Sequence, residues 1–186
     1  MSQNTPHGPS YDNVVIGASI AGSASAHVLS AAASTSRTAP LRIALFERSP
    51  EPDRIVGELL QPGGVAALRG LGLGTCLYGI DAVFDAGETV HISYPSGAQG
   101  RSFHHGRFIQ KLRTYAKAAP GVDVIEATAT DLIEPHPCTC REGAGQKESF
   151  CTNLVVIADV CFSTLRSAVM VGTAFSKRSL VRRNFV

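Results

Sequence analysis

The sequence predicts an α/β fold with a parallel sheet and a nucleotide-binding turn at the end of its first strand. Three observations carry that expectation. Val14, Val15 and Ile16 form an uninterrupted apolar run, as a strand buried on both faces of a parallel sheet requires. Gly17-Ala18-Ser19-Ile20-Ala21-Gly22 follows directly and opens a segment rich in Ala and Ser that suits a helix lying close on that sheet. A second apolar run, Leu41 to Glu47, then ends on an acid, which completes a β-α-β unit with the glycine turn at its first strand-to-helix junction.

The remaining elements follow in order. Residues 1–10 are polar with Pro and Gly and are expected to form a disordered leader. The first helix is expected over 20–33, a loop over 34–40 and the second strand over 41–47. Gly63 to Gly74 predicts a short helix with a glycine stop. Residues 88–95 alternate like a half-exposed strand, with Val90, Ile92 and Tyr94 on one side. The clearest amphipathic helix spans 106–121, with Phe108, Leu112, Tyr115 and Ala119 on one stripe and Pro120-Gly121 as its stop. Residues 122–134 and 149–159 predict strands joined by a polar hairpin, and residues 161–170 a short helix before a basic tail over 171–186.

Composition narrows the function classes. At 186 residues and 44% apolar composition the chain can bury a sizeable core. Seventeen basic against fifteen acidic side chains leave a net charge of +2, too little for a nucleic-acid-binding surface. Five widely spread cysteines, without an apolar leader, are expected to be reduced thiols facing the cytosol. Cys138, Cys140 and His136 lack a second ligand pair at zinc-site spacing, so a surface hairpin and no metal are expected there. No run of 18 apolar residues exists to span a bilayer.

A dinucleotide site needs backbone N–H groups at a helix N-terminus for the pyrophosphate, close approach at that point, and an acid ending the second strand for a ribose. Gly17 supplies the tight turn, Gly22 the close helix-to-strand contact and Glu47 the carboxylate. Ser19 stands where this pattern has its second glycine. Its Cβ intrudes on the phosphate approach, and weakened binding with a cost of about 1–3 kcal/mol is expected unless its hydroxyl bonds the phosphate.

The segments 51–64, EPDRIVGELLQPGG, and 100–113, GRSFHHGRFIQKLR, resemble signature segments of the squalene monooxygenase (squalene epoxidase) family, with a fungal flavour in the surrounding sequence. Asp159, Cys161, Phe162, Ser163 and Arg166 also resemble the D-G-x-x-S-x-x-R segment of flavoprotein hydroxylases, and the likeness runs from about residue 11 to 170. It implies an FAD/NAD(P)-binding Rossmann-like domain of the flavoprotein hydroxylase type over 11–170, incomplete at the C-terminus, with the start of an interleaved substrate domain at about 80–105. By the same resemblance, Ile20 and Ala21 lie against the FAD pyrophosphate, Glu47 and Arg48 at the adenosine end, and Arg54 and Arg107 toward the flavin. The backbone at Ala129 passes the adenine, Asp159 belongs to a second cofactor contact, and His104 and His105 are ordering residues rather than acid-base catalysts.

The implied reaction is epoxidation of squalene to (S)-2,3-oxidosqualene in sterol synthesis, with O2 and with electrons from NADPH through NADPH-cytochrome P450 reductase. The implied place is the cytosolic face of the endoplasmic reticulum membrane. The cofactor carries the oxygen chemistry, so no side chain is assigned as catalytic. Gln61 and Glu88 fall at pocket positions, Glu88 in place of a tyrosine, where a carboxylate facing hydrocarbon is costly unless protonated. Val160 replaces the glycine of the D-G pair. These departures, and a chain shorter than the family's, also predict an alternative: a truncated, non-catalytic family remnant with weak or no flavin binding.

Overall fold

A computed structural model describes residues 9–49, 51, 57–80, 94–133, 147–159, 165 and 179–184. The chain divides into two compact units, one formed by residues up to 50 and from 116 onward, the other by 51–115.

The first unit is built on a six-stranded sheet. Its strands are β1 (Ser10–Ile16), β2 (Ile43–Glu47), β5 (Val122–Glu126), β6 (Thr128–Ile133), β7 (Lys147–Ile157) and β8 (Ser179–Asn184), in the order β5-β2-β1-β7-β8-β6. Strands β5, β2, β1 and β7 run parallel, while β8 is antiparallel to both β7 and β6. Helix α1 (Ile20–Ser36) connects β1 to β2.

Burial explains why the apolar runs form strands. Val14, Val15, Ile43, Ala44, Leu45 and Phe46 are almost wholly enclosed, because this part of the sheet is covered on both faces. Val15, Ile43, Leu45 and Val122 pack with Ala26 of α1 and with Ala116. Val14, Ile16, Ala44, Phe46, Phe150 and Leu165 form the core on the other face, where the rings of Phe46 and Phe150 meet edge to face at 5.1 Å. The buried side of α1 is Gly22, Ser23, Ala26, Ser30 and Ala33, small residues that allow a close approach. Its two buried hydroxyls are satisfied, Ser23 Oγ donating to the Ala18 carbonyl at 3.1 Å and Ser30 Oγ to that of Pro120 at 2.8 Å.

Three details differ from the expectations. β1 begins at Ser10, inside the segment read as a leader, because Ser10 pairs with Cys151 of β7. Residues 122–134 are two strands rather than one: Ala127 donates its N–H to the Glu47 carbonyl at 2.9 Å, β5 remains with β2, and β6 leaves to pair with β8. Within the basic tail, Ser179–Asn184 is a strand between β7 and β6. Of the strand expected at 88–95, Tyr94 and Pro95 are not strand, Pro95 opening a 3-10 turn, and residues 88–93 lie outside the described residues, as do the polar hairpin with Cys138, Cys140 and His136 and all but Leu165 of the helix at 161–170.

The second unit contains the antiparallel pair β3 (Gly57–Leu60) and β4 (Arg101–His104), with Glu58 opposite Phe103. Helix α2 (Pro62–Gly70) starts on a proline, which lacks the N–H that a first helical turn leaves unpaired. Short 3-10 turns follow at Gly74–Leu77 and Pro95–Gly97. Helix α3 (His105–Ala118) carries the chain out of this unit after Tyr115. Phe108 and Leu112 of its apolar stripe are fully buried, and Phe108 meets Phe103 edge to face at 4.9 Å. Lys111 Nζ donates to the Tyr78 carbonyl, and burial pushes the nearby Cys76 thiol up while the Lys111 ammonium partly offsets the rise. Among the described residues no helix is long and apolar enough to cross a membrane.

Candidate nucleotide-binding site

Strand register assembles the site in the first unit. Ile16 is level with Phe46 on one side and with Ile157 on the other, so three parallel strands end together. The residues that follow them, Gly17, Glu47 and Ala158-Asp159, therefore meet at the carboxyl edge of the sheet, where open α/β folds take their ligands.

Each glycine in the turn has a steric cause. Gly17 has φ +95°, and a Cβ built on it would stand 2.7 Å from the Ala158 carbonyl oxygen and 2.9 Å from Asp159 Cα. A Cβ on Gly22 would stand 1.8 Å from the Gly17 carbonyl oxygen. Only glycine fits at either place.

The backbone between them is tied down on both sides. Gly17 N donates to the Phe46 carbonyl at 2.8 Å, Ala158 N to that of Ile16 at 2.8 Å, and Ala18 N to Glu47 Oε2 at 2.9 Å. Glu47 Oε1 accepts the Ser49 N–H at 3.0 Å. Each carboxylate oxygen of Glu47 thus accepts a backbone donor beside the turn.

Ser19 is the N-cap of α1, with φ −78° and ψ −166°, ordinary extended backbone. A serine sits there without backbone strain. Its hydroxyl does not cap the helix and instead donates to the Ala158 carbonyl at 3.2 Å. The first turn of α1 carries no acidic residue that would repel an anion, and the amides at this end lack partners within the helix. Asp159 Oδ1, directly beyond β7, is buried with no hydrogen-bond partner. A hydroxyl-bearing ligand would satisfy that oxygen, so turn, helix end and carboxylates together fit a nucleotide diphosphate.

The other sequence-derived residues are distributed over the fold. Ile20 is half-buried and Ala21 exposed at the start of α1, Arg48 is exposed just after β2, and Ala129 is buried in β6. Gln61, exposed, is the N-cap of α2 in the second unit. Arg107 lies exposed in the first turn of α3, where its N–H reaches His104 Nδ1 at 3.5 Å. His105 Nδ1 stands 3.0 Å from Glu58 Oε1. Arg54, Glu88, Val160, Cys161, Phe162, Ser163 and Arg166 lie outside the described residues.

Sequence reasoning missed Ala18 and Ala158, which work through backbone groups, and Ser23, whose hydroxyl donates to the Ala18 carbonyl. The available signal was Ser23, a hydroxyl on the buried side of a small-residue helix where an internal acceptor is required.

The parallel sheet, its crossover helix and the glycine turn are those of the FAD/NAD(P)-binding Rossmann-like domain of flavoprotein hydroxylases. The chain superposes on p-nitrophenol 4-monooxygenase from Pseudomonas putida DLL-E4 with a TM-score of 0.58 at 13% identity, over 87% of this chain and 44% of that one. No protein-family model matches the chain. It is homologous to the squalene epoxidases: squalene epoxidase 3 of Arabidopsis thaliana is 37% identical over 179 residues, 87% of this chain and 33% of the relative. Squalene epoxidase erg1 of Aspergillus fumigatus is 41% identical over 178 residues, 83% of this chain and 35% of the relative. The chain therefore spans about a third of the length of these relatives.

Proposed function

We propose that this chain is the FAD-binding part of a squalene monooxygenase, which epoxidises squalene to (S)-2,3-oxidosqualene with O2. The observation that carries the reading is the 41% identity over 178 residues to a squalene epoxidase, joined to a glycine turn that fits a dinucleotide. In this reading the amides of Ile20 and Ala21 bind the pyrophosphate, and Gly17 and Gly22 let it approach. Glu47 accepts a ribose hydroxyl while holding the Ala18 amide, and Asp159 accepts a second ligand hydroxyl at its unpartnered oxygen. Arg48 serves the adenosine end, the backbone at Ala129 passes the adenine, and Arg54 and Arg107 serve the flavin end. Gln61 and Glu88 belong to the substrate pocket.

When bound, the flavin supplies the activation of O2, and the chain orients it and excludes water. Electrons come from NADPH through NADPH-cytochrome P450 reductase at the endoplasmic reticulum membrane, where a hydrocarbon substrate dissolves. Two measurements test the reading. The purified chain should retain FAD. A chimera in which residues 11–170 replace the homologous third of the Aspergillus fumigatus enzyme should convert squalene to its epoxide in reductase-containing membranes. A chimera that holds FAD and forms no epoxide would overturn the substrate assignment and leave the cofactor assignment standing.

A further inference from the structure

We infer that Ser19 is a positioning residue: its hydroxyl locks the peptide leading into Asp159 and so aims the Asp159 carboxylate. This rests on the FAD-binding reading above. Three observations converge on it. Ser19 Oγ donates to the Ala158 carbonyl at 3.2 Å, across 139 positions of sequence. The Ala158 oxygen lies 2.7 Å from where a Gly17 Cβ would be, so it sits directly under the turn. Asp159 Oδ1 is buried and without a partner.

The link between them is covalent geometry. The Ala158 carbonyl and the Asp159 N–H share one rigid peptide plane, so holding the oxygen sets the orientation from which the Asp159 side chain departs. Ala158 N, bonded to Ile16 at 2.8 Å, holds the preceding peptide. With Ser19 on the following one, Asp159 is delivered from a backbone held at successive planes. A glycine at 19 would remove this bond and add backbone freedom to the turn. The serine therefore replaces the usual second glycine with a device of its own, and Ser19→Gly should weaken the site rather than repair it.

The test is a double-mutant cycle in the full chain, read as FAD affinity by quenching of flavin fluorescence, with melting temperature recorded for each variant. Ser19→Ala and Ser19→Gly should each weaken FAD about three- to tenfold, the worth of one hydrogen bond. Ser19→Thr, which keeps the hydroxyl, should stay within about twofold of wild type. In an Asp159→Ala background, which removes the acceptor, Ser19→Ala should change affinity by less than about twofold, since the two act as a unit. Tighter or unchanged binding in Ser19→Gly, or additive losses in the cycle, would overturn the inference.

Amide hydrogen exchange in the ligand-free chain decides the same point independently of FAD. Ser19→Ala should speed exchange at Asp159 and at 19–22 while β2 stays protected, and an unchanged pattern would overturn it. If wild type binds no FAD, the proposed function fails while the exchange result still judges Ser19.

Discussion

Among the described residues, two strand-to-helix junctions carry glycine pairs, and only one needs them. Between β1 and α1, the added Cβ at Gly17 would meet backbone at 2.7 Å and at Gly22 at 1.8 Å. In the first turn of α2, after β3 in the other unit, Gly63 has nothing within 4 Å, and Gly64 faces the tip of the Leu60 side chain at 2.7 Å. The caps differ as well. Ser19 at the first junction reaches across to β7, whereas Gln61 at the second is exposed and makes no side-chain cap bond. A glycine forced by backbone contact reports how the chain folds. A glycine beside open space reports either chance or a group that comes to fill the space.

Breaking the first junction should have the largest effect. Gly22→Ala forces backbone apart in a close-packed site and should cost about 3 kcal/mol or more, read as a collapse of the chemical-denaturation midpoint. Glu47→Ala comes next: it removes the carboxylate that accepts from the Ala18 and Ser49 amides beside the turn and should cost about 1–2 kcal/mol, with Glu47→Gln recovering part of the loss. Gly64→Ala should cost under about 1 kcal/mol, because the Leu60 side chain can turn aside where backbone cannot. Gly63→Ala should raise stability by about 0.4–1 kcal/mol, since alanine restricts the unfolded chain and meets nothing in the folded one. That last variant sharpens the contrast: if it stabilises the chain yet lowers FAD affinity, the open space at Gly63 belongs to the cofactor.

The parallel part of the sheet was legible because its strands are buried on both faces and read as unbroken apolar runs, as in Val14-Val15-Ile16 and in Ile43 to Phe46. In the antiparallel part, β8 was not. Ser179–Asn184 contains two consecutive arginines, and nothing local marks it as a strand; its pairing with β6 and β7 decides. The break at Ala127 is equally hidden, since it depends on the Glu47 carbonyl far away in sequence.

The site divides the same way. Gly17, Gly22 and Glu47 could be named from the β-α-β pattern, and Asp159 from the family resemblance. The direction of the Ser19 hydroxyl could not, because its acceptor is a backbone carbonyl 139 residues away that no side-chain pattern encodes. The second bond of Glu47, to its own loop at Ser49, was likewise invisible to a motif that treats the acid only as a ribose ligand.

The central claim is that the β1–α1 junction holds the adenosine diphosphate part of FAD. Titration of FAD into the full chain, followed by flavin fluorescence with ADP as competitor, tests it most directly. Saturable binding of about one FAD per chain, displaced by ADP, is the predicted result. Failure to saturate, or saturable binding that ADP leaves untouched, would contradict it.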